Sequence, residues 1–339
     1  MRVKLKDITK FSKGTQINGK NLIDDGAYSY LNGGINPSGK WNEFNVAENT
    51  VTISEGGNSS GYVNYMNKAF WCGAHCYYLY DGPKNSKYLY YALKSQQERL
   101  FRIRSGACMP NIKKSDLGNF VIEYEKDEIR QEEVVKVLEK CELLIEDYNK
   151  KLALLDEAVR ARFVEMFGTL HDNENRFNIV TIEEVCSIIK DGTHQTPHYT
   201  EDKINGYKFL SSKDVMSQKI NWENIKYIPK DLHEKLYASI QPQRNDILMS
   251  KNGVNYGVAA VNDTDEVFDI YVSLALLRPK QLIDPVFFRC VINSIETKRQ
   301  FDMSIKGIGV PNLHLGEIKK TKIILPPMVL QKQFVTFVK

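Results

Sequence analysis

The chain carries two copies of one pattern, and that duplication limits its possible folds more than any other feature. Near its end it reads "GVPNLHLGEIKK" (Gly309–Lys320), and about two hundred residues earlier "CMPNIKKSDLGN" (Cys108–Asn119). Placing Pro110-Asn111 over Pro311-Asn312 sets Asp116 over Glu317, Leu117 over Ile318 and Ile122 over Ile323. With one residue removed, Gln131 meets Gln331. Upstream, "TISEGGNSSGYV" (Thr52–Val63) fits over "LMSKNGVNYGVA" (Leu248–Ala259), which matches Ser54, Gly57 and Gly61 to Ser250, Gly253 and Gly257. "YSYLN" (Tyr28–Asn32) resembles "YKFLS" (Tyr207–Ser211), and "KLKDI…KG" (Lys4–Gly14) resembles "TIEEV…DG" (Thr181–Gly192). Blocks in one order at near-constant offsets indicate a duplicated domain, and the period is too long for a solenoid.

Each copy reads as α+β (mixed α/β). "NTVTIS" and "NDILMS" are short β-prone runs, each followed by Gly and Asn residues that permit turns with positive φ. Each copy later holds an aromatic helix candidate, "KYLYYALKSQQERLFRI" and "PVFFRCVINSIETKRQF". The expected organisation is a first globular domain over 1–125, a helical segment over 126–170, a second globular domain over 171–325, and a short helical start over 326–339.

The segment between the copies has no proline, and its first glycine is Gly168. Val134, Leu138, Cys141, Ile145, Tyr148, Leu152, Leu155 and Val159 alternate spacings of four and three, which is a heptad seam. About 40 residues at 1.5 Å each predict a rod of roughly 60 Å, capped by Gly168. Such a seam needs a partner. "PPMVLQKQFVTFVK" offers the start of one, but only about a dozen residues follow Pro326-Pro327.

Charge and cysteine narrow the class. Acid is concentrated in the middle: 126–170 carries net −3, against +5 for 1–125, 0 for 171–325 and +2 for 326–339. Basic or neutral flanks are compatible with nucleic acid. No apolar run approaches the ~20 residues that span a bilayer, and "MRVKLKDITKF" lacks a signal-peptide core, so a cytoplasmic protein without membrane contact is expected. Six cysteines then read as reduced thiols. Cys72, His75 and Cys76 in "WCGAHC" lack a second ligand pair, and Pro197 separates His194 from His198, so no metal site is expected.

The order of motifs resembles the specificity subunit of type I restriction-modification systems. "DGTHQTPHY" (Asp191–Tyr199) is similar to that family's opening of a recognition domain, and "GVPNLHLGEIKKTKIILPPMVLQKQF" to its close. The resemblance implies two target recognition domains in a pseudo-twofold arrangement, each reading half of a split double-stranded DNA site. It implies two long helices packed as an antiparallel coiled coil, two methylation subunits and further restriction subunits. S-adenosylmethionine, ATP and magnesium belong to those partners; no cofactor is expected in this chain, and it is not expected to be an enzyme. No Asn-Pro-Pro-aromatic tetrapeptide and no GxxxxGK[ST] loop occurs. The short second helix departs from the family. The alternatives are a shortened product, an interrupted gene, or a second chain that completes the coil. Two rival readings are a methyltransferase or nuclease with unrecognised motifs, and a coiled-coil scaffold for proteins.

Candidate contacts with DNA follow. Thr193, His194 and Gln195 form a loop that either presents polar groups to DNA or is plainly structural. Asn58, Ser59 and Ser60, and Lys251, Asn252, Asn255 and Tyr256, lie in glycine-bearing loops that let backbone approach phosphates, where Asn can pair with an adenine edge. The alternative is a pair of matching turns. Arg102, Arg104, Lys113 and Lys114 surround the first Pro-Asn motif, and Lys306, Lys319, Lys320 and Lys322 the second. They suit phosphate contacts or a solvated face.

Overall fold

The duplicated sequence folds twice with one topology. In the computed structural model, which describes residues 1–106, 109–305 and 311–339, the chain divides into two units, Met1–Asn149 and Lys150–Lys339. In the first, a four-stranded antiparallel sheet runs in the order Lys10–Lys13, Cys76–Tyr80, Thr50–Ser54, Val63–Met66. In the second, the matching order is Cys186–Asp191, Leu274–Pro279, Ile247–Ser250, Ala259–Val261. Each unit adds a three-stranded sheet whose middle strand, Tyr28–Leu31 or Tyr207–Leu210, has one antiparallel and one parallel neighbour. A two-stranded ribbon completes each: Arg2–Lys4 with Val121–Glu123, and Asn178–Thr181 with Lys322–Leu325. The class is therefore α+β, with two copies of one domain. Thr50–Ser54 and Ile247–Ser250 are inner strands, buried almost throughout, which is why both read as short continuous β-prone runs.

The aromatic segments expected as single helices are each broken in two: Ser86–Lys94 and Gln97–Arg102, then Pro285–Ile292 and Ile295–Ser304. Matched caps start the first of each pair. Asn85 Oδ1 accepts from the Tyr88 amide at 2.9 Å, and Asp284 Oδ1 from the Val286 amide at 2.8 Å. The second break has a tertiary cause. Asn293 turns its amide onto the Ala259 backbone, donating and accepting at 2.9 Å, and Ser294 caps the next helix.

Glu128–Phe167 is one helix of 40 residues. Gly168, at φ 70°, ends it by donating to Val164 C=O. Its seam is open along the middle, where Val134 is 41% exposed and Ile145, Leu152 and Leu155 about 60%. The short terminal helix of this chain covers the seam only at its end. There Val159, Phe163 and Phe167 enter the core of the second unit. Phe167 is fully buried against Phe287 and Phe334, with ring centroids 5.2 and 5.5 Å away. Phe334 comes from the terminal helix Met328–Val338. Matched buried glutamines anchor both helix starts. Gln131 Nε2 donates to Glu125 C=O (2.7 Å) and Gln331 Nε2 to Pro326 C=O (2.8 Å). The short helix thus begins like the long one.

Matching Gln131 with Gln331 sets exposed Val134 against buried Phe334. Phe334→Ala should cost the second unit about 3–5 kcal/mol, whereas Val134→Ala should stay within ~0.5 kcal/mol. Urea unfolding of the two variants measures this, and equal effects would contradict the difference in packing.

Candidate nucleic-acid interface

The glycine loops and the Pro-Asn motifs, distant in sequence, are neighbours in each unit. Gly57 donates to Pro110 C=O (2.9 Å) and Ile112 to Glu55 C=O (2.9 Å). In the second unit Gly253 donates to Pro311 C=O (3.0 Å) and Leu313 to Lys251 C=O (2.7 Å). Gly56 and Asn252 sit in antiparallel bridges with Asn111 and Asn312. Each loop closes on itself through a 2.7 Å bond, from Gly61 to Ser54 C=O or from Gly257 to Ser250 C=O. Gly57 and Gly253 have φ of 79° and 85° with open space where a Cβ would stand, so backbone conformation alone selects glycine there. The opening motif joins the same place by close approach. A Cβ on Gly14 or Gly192 would fall 1.8 or 2.1 Å from the carbonyl oxygen of Cys72 or Ile270. The next residues, Thr15 and Thr193, donate their amides to those same carbonyls. The three blocks recur because together they build one clamp.

The clamp holds an ion pair whose sense is reversed between the units. Lys13 Nζ lies 2.6 Å from Glu55 Oε1, and His75 Nδ1 3.5 Å from Glu55 Oε2. Matching the blocks puts Asp191 at the place of Lys13 and Lys251 at that of Glu55. Lys251 Nζ is 3.0 Å from Asp191 Oδ2, and His194 Nε2 3.3 Å from the same oxygen. Lysine, carboxylate and histidine thus meet in both units. Beneath the first, the Tyr77 hydroxyl donates to Ile112 C=O (3.2 Å). Burial and then the Glu55 charge push its pKa up to about 12, so it remains a donor. Lys13, Glu55, His75 and Asp191 were missed in the sequence because the reversal hides the correspondence. The repeated Lys-Gly and Asp-Gly pairs were the available signal.

The expected contact residues divide between scaffold and surface. Lys251 is 4% exposed and committed to Asp191, which corrects its reading as a DNA contact. Ser60 is likewise buried, its hydroxyl donating to Glu55 C=O. Tyr256 is fastened to the helix Ile295–Ser304: its hydroxyl donates to Asp302 (2.5 Å) and Lys298 Nζ lies 3.2 Å from its ring centroid. Lys298 and then Tyr256 hold the Asp302 carboxyl below its usual range. Ser59 donates to Gly33 C=O, and Asn252 is half-buried. Asn58 and Asn255 are exposed in their loops, and His194 and Gln195 lie on the surface beside Thr193, whose Oγ1 accepts from the Gln195 amide. The second unit therefore brings the Thr193–Gln195 loop to the Lys251 loop through Asp191. Arg102, Lys113 and Lys114 are exposed, and the Arg104 guanidinium lies 4.0 Å over Phe101. Lys319 pairs with Glu183 (3.2 Å) and Lys320 with Glu317 (3.7 Å). Lys306 lies outside the described residues.

Comparison with known proteins adds three findings. The family described as type I restriction modification DNA specificity domain matches residues 1–156 and again 174–339. A putative type I specificity subunit of Mycoplasma pneumoniae is 36% identical over 169 residues, covering 49% of this chain and 44% of the relative. A type I restriction enzyme specificity subunit of Methanocaldococcus jannaschii is 24% identical over 262 residues, 72% of this chain and 60% of the relative. The chain thus spans under half the length of the M. pneumoniae relative and three fifths of the other. In fold, the chain resembles the crystal structure of a type I restriction-modification S subunit from M. genitalium. The TM-score is 0.58 at 21% identity, over all of this chain and 88% of the other.

The reversed ion pair makes a test of the clamp. Lys251→Glu alone sets two carboxylates together in a nearly closed site and should cost about 3 kcal/mol or more. Adding Asp191→Lys restores the pair in the sense found in the first unit and should recover most of that loss. A double variant no more stable than K251E in urea unfolding would show that the pair does not hold the clamp.

Proposed function

The chain belongs to the type I restriction-modification DNA specificity domain family, and on that premise we propose that each unit reads one half of a split duplex DNA site. The carrying observation is that the family domain and the sheet topology both occur twice in one chain. Two readers on one polypeptide suit a bipartite target. In this reading the exposed side chains of Asn58, Asn255 and Gln195 meet bases or phosphates, with His194 beside them at the edge of the clamp, and the clamp itself holds the loops.

The remaining parts of the machine follow from this assignment. The chain is a non-catalytic specificity subunit in the cytoplasm. Two methylation subunits use S-adenosylmethionine, and restriction subunits use ATP and magnesium. Among the described residues no helix is long and apolar enough to cross a membrane.

The helix Glu128–Phe167 acts as a spacer. Its fastening at both ends supports this: near its start Gln131 is buried and Tyr91 donates to Glu142 (2.7 Å), and near its end Phe163 and Phe167 are packed into the second core. A second chain completes the coil. In the second unit Phe163 and Phe167 cover Phe334, while the matched Val134 of the first unit is open. A helix supplied from outside would cover Val134 in the same way.

Replacing residues 1–125 by the corresponding domain of another family member should change one half of the methylated site and leave the other. Sequencing methylated adenines in cells that carry the complete system reads this directly. A change in both halves, or in neither, overturns the assignment of one half-site to each unit.

A further inference from the structure

We infer that the first unit grips DNA phosphates in a concavity whose three arginines, Arg2, Arg99 and Arg102, have no arginine at the matched positions Ile179, Gln300 and Met303 of the second unit. Arg2, Arg99 and Arg102 line a concavity of about 440 Å³ together with Asp116 and Phe120. Among the described residues no carboxylate lies within ion-pairing distance of Arg2 or Arg102, and both are exposed. Arg99 is oriented from behind. Its Nη1 donates to Gln96 Oε1 at 2.7 Å, and its guanidinium stands 5.1 Å over the Phe120 ring. Three permanent cations therefore face one lining carboxylate, Asp116. Guanidinium is weakly hydrated and offers a planar fork that fits phosphate oxygens in pairs. An anion placed here gains hydrogen bonds without first breaking an ion pair to Arg2 or Arg102.

The concavity continues from the clamp. Asp116 lies in the helix Lys114–Gly118, which follows directly on the Pro110–Ile112 segment and begins at the exposed Lys113 and Lys114. That continuity favours a duplex backbone lying along the unit over an acidic protein segment docked on it.

The second unit is built differently at the same place. Strand register pairs Val3 with Ile122 and Val180 with Ile323, so Ile179 occupies the position of Arg2. Gln300 there spends its side chain on the Lys322 backbone, donating and accepting at 2.9 Å. Lys322 is the residue matched to Val121 of the concavity. The two half-sites would thus be held unequally, the first with an additional contact that does not depend on sequence.

This inference rests on the proposed reading of DNA by both units. Its test uses the full chain assembled with methylation subunits on duplex DNA that carries the methylated site. Affinity is measured between 50 and 200 mM salt for the native complex and for Arg2→Gln/Arg102→Gln. If two phosphates are lost, the salt slope falls by about 1.8, so affinity drops roughly tenfold less across that range. The methylated sequence stays the same. Arg2→Lys/Arg102→Lys, which keeps both charges, should restore most of the slope and serves as the control for folding. An unchanged slope in the glutamine variant overturns the inference. So does an unchanged slope accompanied by weaker capture of methylation subunits without DNA, which would make the concavity a protein site. A native complex that ignores salt and sequence alike would instead overturn the reading of the function, and this inference with it.

Discussion

One residue in each unit holds the candidate interface together. Glu55 donates its amide to His75 C=O and accepts at its own carbonyl from Ile112, while its side chain meets Lys13. Lys251 does the same with Ser273, Leu313 and Asp191. Each therefore ties three segments that are far apart in sequence: the end of the first sheet strand, the turn before the last strand, and the Pro-Asn motif. Remove the junction, and the loops carrying Asn58 or Asn255 lose the base on which they stand. Buried backbone groups need partners, and here the partners are supplied reciprocally between motifs. That requirement explains why the motifs travel together in both copies.

The duplication was legible in the sequence because its determinants are local and stereochemical. Gly14 and Gly192 admit no Cβ, Gly57 and Gly253 need positive φ, and Gln131 and Gln331 satisfy buried carbonyls. Such positions tolerate few substitutions and leave recognisable letters. The inner strands Thr50–Ser54 and Ile247–Ser250 were legible as continuous β-prone runs, and the long helix from its heptad spacing. The ion pair was not, because electrostatic attraction is indifferent to which partner carries which sign. Sequence comparison sees Lys13 against Asp191 and Glu55 against Lys251 as two mismatches, although each pair is a conserved contact. The broken helices were also illegible. The break at Asn293 depends on a bond to Ala259, which is distant in the chain.

The candidate site was read only in outline. Side-chain type located the right loops, but it could not tell which polar groups face outward. Lys251 and Ser60 look like ligand-binding residues on paper and prove to be internal struts. The greater length of the second unit gives a similar case. The helix Lys230–Tyr237 attaches through His233, whose ring stacks on Tyr207 and meets the buried carboxylate of Asp269 at 2.7 Å. A histidine in that run would pass in sequence for a solvent-exposed residue. Burial decides these roles, and burial is a property of the assembled fold.

The reversed polarity of the clamp has a consequence for how such a gene can change. Two similar copies in one reading frame invite recombination with each other. A crossover inside a unit, between its opening block and its glycine loop, would join Lys13 to Lys251 or Asp191 to Glu55. Either hybrid places like charges in contact, one of them on a side chain that is mostly buried, which is costly. A crossover within the central helix leaves each pair intact. The charge arrangement therefore acts as a compatibility tag. Whole recognition units can be exchanged as cassettes, while mosaics cut within a unit carry a built-in electrostatic penalty.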